Sequence, residues 1–169
     1  MDRLTSLFEQ LSLPEVARIL RPGGIFLVGV PNFASPEARL TRGGWFHLDL
    51  PRHLSHHTPT SLDAALTAAG LRPVRMSFFA PEYDCFSFVQ SLLNWLGVRP
   101  NLLYNLLRGQ RAKVFNREQS FYSLVATVMF APLLGVMSLP ATLLLGACGR
   151  GAALTVAAVK EKLPRGELP

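Results

Sequence analysis

The sequence predicts an α/β fold that carries a hydrophobic helical insert. Three observations predict it. Residues 25–30, IFLVGV, form a continuous apolar run bounded by glycine and proline, which reads as a strand buried on both faces, as in parallel sheets. After it, the order connection, helix, strand suggests one α/β layer. From Phe121 to Cys148 the chain then runs for 28 residues with no charge, a stretch longer than the ~20 residues that cross a bilayer.

The elements follow in order. Leu4, Leu7, Phe8 and Leu11 have helical spacing. Ser12 is a candidate cap for a second helix, with Pro14 and Glu15 in its first turn and Val16, Ile19 and Leu20 on its apolar face. Arg21-Pro22-Gly23-Gly24 stops that helix, because proline cannot continue it and glycine accepts left-handed dihedrals. The IFLVGV strand comes next. Thr60 or Ser61 is expected to cap a helix with the body LDAALTAAG, ended by Gly70. Residues 71–79 predict a second strand, which Pro73 places at a sheet edge or at a strand start. Residues 86–98 predict a hydrophobic helix, and NLLYNLLRGQR a shorter one. Pro132 and Pro140 are expected to split the charge-free run into pieces shorter than a bilayer span, with either proline at the turn of a helical hairpin. Residues 152–160 predict a last strand, followed by a polar tail. No period of 20–50 residues recurs, so a repeat architecture is excluded.

Composition narrows the function classes. Nearly half the residues are hydrophobic and 17% are charged, which excludes a disordered chain. Net charge is +6, and it is uneven. Between Arg99 and Arg117 stand Arg99, Arg108, Arg111, Lys113 and Arg117 with no acid. No aromatic RNA motif or zinc-finger spacing accompanies them, so no nucleic-acid partner is assigned and a membrane surface is preferred. Cys85 and Cys148 are too far apart for a CxxC pair, and two cysteines make no disulfide framework; both facts fit a reducing compartment. The first thirteen residues lack the apolar core of a signal peptide.

The run LPEVARILRPGGIFLVGVPN resembles the segment around the fifth strand of class I S-adenosylmethionine-dependent methyltransferases, where a helix ends in Pro-Gly-Gly and feeds a buried strand ending in Pro-Asn. The continuation WFHLDLPRHLSHHTPTSLDAALTAAGLRPVRM is similar to one bacterial branch, in which a His-x-Asp-x-Pro-Arg-His loop precedes a Thr-Pro-x-Ser-Leu helix start, a helix ending in Ala-Gly and a sixth strand. The resemblance covers roughly residues 12–160. It implies a partial Rossmann-like methyltransferase sheet made of late strands only. Residues 1–80 would belong to the C-terminal part of the α/β core, 81–150 to a membrane-associated insert, 151–160 to the last core strand and 161–169 to the tail. It also implies S-adenosylmethionine as cofactor and a small-molecule or lipid-linked acceptor, at the cytoplasmic side of a membrane. The family's glycine-rich first turn has no counterpart: Gly23-Gly24 follows a helix and Gly43-Gly44 lies in a loop. The cofactor-binding residues are therefore not placed in this chain. The alternative is a non-catalytic membrane-interaction or docking module derived from such an enzyme.

The candidate chemistry lies in WFHLDLPRHLSHHTP, residues 45–59, which holds all four histidines. The spacing His53-x-x-His56-His57 matches no zinc motif, so no metal is assigned. Ser55 and Ser61 lack a nucleophile elbow, which argues against a triad. Methyl transfer asks mainly for alignment and, with hydroxyl acceptors, for a base. His47 and His53 are candidates for that base. Asp49 would orient an imidazole, and Arg52 would pair with an anionic substrate group or with Asp49. The other reading makes Asp49 and Arg52 a structural pair and His53 a helix cap.

Overall fold

The computed structural model describes residues 13–48, 55–109 and 120–161. The fold is mixed α/β. A three-stranded sheet has β1 (Ile25–Pro31), β2 (Leu71–Ser77) and β3 (Ala153–Lys160) in the order β1-β3-β2. Both outer strands pair antiparallel with β3: Ile25 opposes Val159, Leu71 opposes Lys160 and Ser77 opposes Thr155. Strands β1 and β2 therefore run parallel to each other, with their carboxyl ends at the same end of the sheet. The last strand in sequence is the middle strand in space.

Helix α1 (residues 13–19) and helix α3 (Pro59–Ala68) pack on one face of this sheet. Ala17, Leu62, Leu66, Leu71, Leu154, Val156 and Ala158 make its core. Thr58 caps α3 in a reciprocal box: Ser61 N donates to Thr58 Oγ1 at 3.1 Å, and Thr58 N donates to Ser61 Oγ at 2.8 Å. The cap thus stands before both expected residues, and Pro59 begins the helix. Gly70, with φ +76°, ends it as expected. Pro73 sits in an outer strand, where a register shift between Pro73 and Arg75 absorbs it.

One expectation is corrected here. β1 is not buried on both faces, for Ile25 is 70% and Leu27 is 66% exposed. The physical reason is that α1 and α3 share one face, and no described element covers the other. Among the described residues β1 also pairs on one side only. The apolar run of a doubly covered strand is present, but its second cover is not.

Helices α2 (Pro36–Thr41), α4 (Pro81–Trp95), α5 (Leu102–Leu107) and α6 (Ser120–Ala147) form the remainder. A second correction concerns α6. Pro132 and Pro140 lie inside one continuous helix of 28 residues and do not split it. Hydroxyls supply hydrogen bonds beside Pro140: Ser138 Oγ donates to Gly135 O at 2.7 Å, and Thr142 Oγ1 to Ser138 O at 2.8 Å. Apolar helices tolerate an internal proline where a neighbouring helix and local adjustment of the backbone offset the missing bond, and α4 packs along this one. The hairpin partner of α6 is α4, with Val89 and Leu93 packed against Ala126, Ala131 and Leu134.

The helical part joins the sheet at a tight seam. A Cβ on Gly151 would collide with the Phe78 carbonyl, and one on Gly146 would come within 2.9 Å of Phe79 Cβ. Only glycine allows this approach of α6 to the exit of β2. At the start of α4, buried Asp84 accepts from Ala80 N at 2.8 Å and satisfies a donor at the helix end.

Candidate functional site

Open α/β sheets place their ligands outside the carboxyl ends of strands. At the carboxyl end of β1 stands Asn32, which is fully used. Its N–H donates to Ala152 O at 2.7 Å, its Nδ2 donates to Gly151 O at 2.9 Å, and its Oδ1 accepts from Ala34 N at 3.0 Å. A parallel bridge to His57, with Phe33 N donating to His57 O at 2.9 Å, brings the histidine stretch beside it. Asn32 therefore pins three segments at one point: the exit of β1, the entry to β3 and the lead into α3.

Above this pin lies a ring cluster centred on buried Trp45. The Phe33 ring is 5.8 Å from Trp45 and 5.4 Å from His56. His47 meets Trp45 edge-on at 5.5 Å, and His56 lies at 5.9 Å from it. Two imidazoles thus flank one indole. His56 Nε2 is buried and has no hydrogen-bond partner among the described residues. Phe46 continues the cluster to Phe86 at 5.2 Å and Tyr104 at 5.6 Å. The loop that carries His47 is therefore held by rings from α4 and α5.

A buried carboxyl lies next to the cluster. Ser35 caps α2, its Oγ accepting from Ala38 N at 3.1 Å, and Pro36 starts the helix. Glu37 then falls in the first turn and points inward to α4. Ser87 Oγ and Ser91 Oγ both donate to its Oε1, at 2.5 and 2.8 Å. Ser91 Oγ in turn accepts from Phe46 N at 2.9 Å, which links the carboxyl to the histidine loop. Burial pushes the Glu37 carboxyl up to about 7. The Ser87 and Ser91 hydroxyls oppose this, Asp84 adds to it, and the Trp45 indole N–H opposes it weakly. A carboxyl raised toward neutrality by burial and two imidazoles stand together at one end of the sheet.

Of the predicted site residues, His47 stands in this cluster. Asp49, Arg52 and His53 lie outside the described residues. Among the described residues no group of three His, Cys, Asp or Glu side chains is arranged to hold a metal ion. Sequence reasoning missed Glu37, Asn32 and Trp45. The available signals were a Ser-Pro-Glu helix start for Glu37 and two serines four apart on the apolar helix α4, which mark one face turned toward a polar partner.

The described residues do not fit S-adenosylmethionine. No described strand that leads into a helix, β1 or β2, is followed by a glycine-rich turn, and the polar groups of Asn32 at the end of β1 are engaged.

No known family and no curated protein matches the sequence. Among solved structures, a protein described as a "putative sarcosine dimethylglycine methyltransferase" from Galdieria sulphuraria aligns over 90% of this chain and 48% of its own, with 14% identity and a TM-score of 0.41. The chain spans about half the length of that protein.

Proposed function

We propose that this chain is the acceptor-side part of an S-adenosylmethionine-dependent methyltransferase that works at a membrane surface. One observation carries the reading: the His47–Trp45–His56 cluster and Glu37 gather at the carboxyl end of β1, the end at which the mostly parallel sheet of the proposed enzyme would bind ligands. The acceptor is a small or lipid-linked molecule. His47 is the candidate base, removing a proton from an acceptor hydroxyl, and the rings around Trp45 exclude water from it. Asp49, Arg52 and His53 keep the roles of orienting group, anion partner and second candidate base. The methyl donor would be held by strands other than those described here. The long, apolar and largely exposed α6 supports the membrane placement.

The second reading, a non-catalytic docking module, is favoured by the one-sided pairing of β1 and the missing glycine-rich turn. DNA upstream of the Met1 codon separates the two. An in-frame strand–Gly-x-Gly-x-Gly–helix unit supports the enzyme. Isothermal titration of this chain with S-adenosylmethionine is expected to show no tight binding, and tight binding would refute the placement of the donor site elsewhere. In the protein carrying that unit, His47→Ala is expected to lower methyl transfer at least tenfold with binding of the donor unchanged, as for loss of a general base.

A further inference from the structure

The helical part inverts the usual arrangement of a water-facing domain. Helix α6 buries Ser123, Thr127, Ser138 and Thr142, and exposes Val128, Met129, Leu133, Val136, Leu143 and Leu144. At about 100° per residue, the exposed positions fill one arc of roughly 200° along the whole helix. The hydroxyls fill the other side, against α4.

Helix α4 has two working faces. Cys85, Val89 and Leu93 point to α6. Ser87, Ser91 and Asn94 point the opposite way, to Glu37 and to Gly44 O. Behind α4, the segment 36–48 exposes Arg39 and Arg42. A section through the part therefore runs from an apolar face, through buried hydroxyls, α4 and a buried carboxyl, to exposed arginines. It is amphipathic as a three-layer unit, although α6 alone is apolar almost all round.

We infer that α6 lies in the plane of an anionic phospholipid surface, with the face around Val136 at the acyl boundary, and does not cross the bilayer. This rests on the membrane placement proposed above. A crossing α6 would carry α4 and the segment 36–48 into hydrocarbon beside it, with Glu37, Asp84, Arg39 and Arg42. Such groups are costly at that depth without a water-filled cavity. Lying flat leaves them on the water side. At 28 residues α6 is about 42 Å long, beyond the ~30 Å hydrocarbon thickness. Exposed Arg150, just beyond the C-terminal end of α6, suits an anionic headgroup, and exposed Tyr122 and Trp95, at the other end of the α4–α6 pair, suit the interface.

The test uses the full chain and vesicles of phosphatidylcholine with or without phosphatidylglycerol. Two variants carry one thiol each. Cys85→Ser keeps Cys148 at one end of α6. Cys85→Ser/Cys148→Ser/Phe121→Cys places a thiol at the other end. The chain is expected to float with the vesicles, more completely with phosphatidylglycerol. Both thiols then react with a membrane-impermeant maleimide added outside. A thiol that reacts only after lysis overturns the in-plane placement and leaves the membrane reading standing. Absence of flotation, with self-association in sedimentation, overturns both and makes the apolar face a contact between copies of the chain. As a second measure, the emission that Leu133→Trp adds to that of Trp45 and Trp95, taken as the difference from the unsubstituted chain, is expected to be quenched more by lipids brominated near the headgroup than near the chain ends. The reverse order would contradict the proposal.

Discussion

The sheet and the helical part are built to different rules. The sheet buries Leu66, Leu154 and Val156 on its covered face and exposes Ile25 and Leu27 on the other. The helical part buries a small apolar cluster, Val89, Leu93 and Leu102 among it, but also Ser87, Ser91, Ser123, Thr127 and Glu37, and along α6 it exposes leucine, valine and methionine. In water the hydrophobic effect explains the covered face of the sheet and opposes the exposed face of α6. With lipid outside, apolar exposure costs little, and small and polar residues become the means of helix contact. Under the membrane placement proposed above the two parts would meet two solvents, and the glycine seam at Gly146 and Gly151 joins them.

The sharpest way to break that comparison is to truncate one leucine in each part. Leu154→Ala, in the middle strand, is expected to cost about 2–5 kcal/mol and lower the melting temperature. Leu144→Ala, on the outer face of α6, is expected to leave thermal stability in detergent almost unchanged. Equal losses would mean that both parts face the same solvent.

The polar interior supplies the next test. Glu37 has its carboxyl raised from 4.5 to about 7, chiefly by burial. Between those values the folded chain holds a proton that the unfolded chain has released. Stability therefore falls as pH rises from about 4.5 to about 7, by up to about 3 kcal/mol, and is flat in this respect above that. Glu37→Gln is expected to remove this slope in denaturant titrations at several pH values. A variant with the wild-type slope would show that Glu37 does not cause it.

A charge on the lipid face gives a somewhat smaller effect. Leu133→Asp is expected to weaken vesicle binding by about 2 kcal/mol, roughly thirtyfold, while the fold survives. Unchanged partition would exclude this face from the contact. The smallest effect belongs to Thr142→Val, which removes a hydroxyl bonded to Ser138 O within α6. A loss of about 1 kcal/mol or less is expected by thermal unfolding in detergent.

Much of this was legible in the sequence where local chemistry decides. The Pro-Gly-Gly stop, the IFLVGV strand, the Gly70 stop and the last strand follow from side chains within a few positions of one another. The middle place of β3 was not legible, because its partners lie over 75 residues away and any outer place would suit the same pattern. The continuity of α6 was missed because proline is judged by its cost in water-facing helices, while here packing along α4 supports the helix. At the site, His47 could be singled out by type. Glu37 could not, since a glutamate in a first turn ordinarily faces water, and only the approach of Ser87 and Ser91 from α4 turns it inward.

The middle place of β3 also sets a timetable during synthesis. Among the described residues β1 and β2 do not pair with each other, and their shared partner is complete only when residues 153–160 have left the ribosome. The apolar α6 emerges before them. A bare greasy helix thus exists while the sheet is still unmade, which is the condition under which chains aggregate or are captured. Order of translation favours an early encounter with a bilayer or a chaperone, and the sheet closes afterwards behind a helix already engaged.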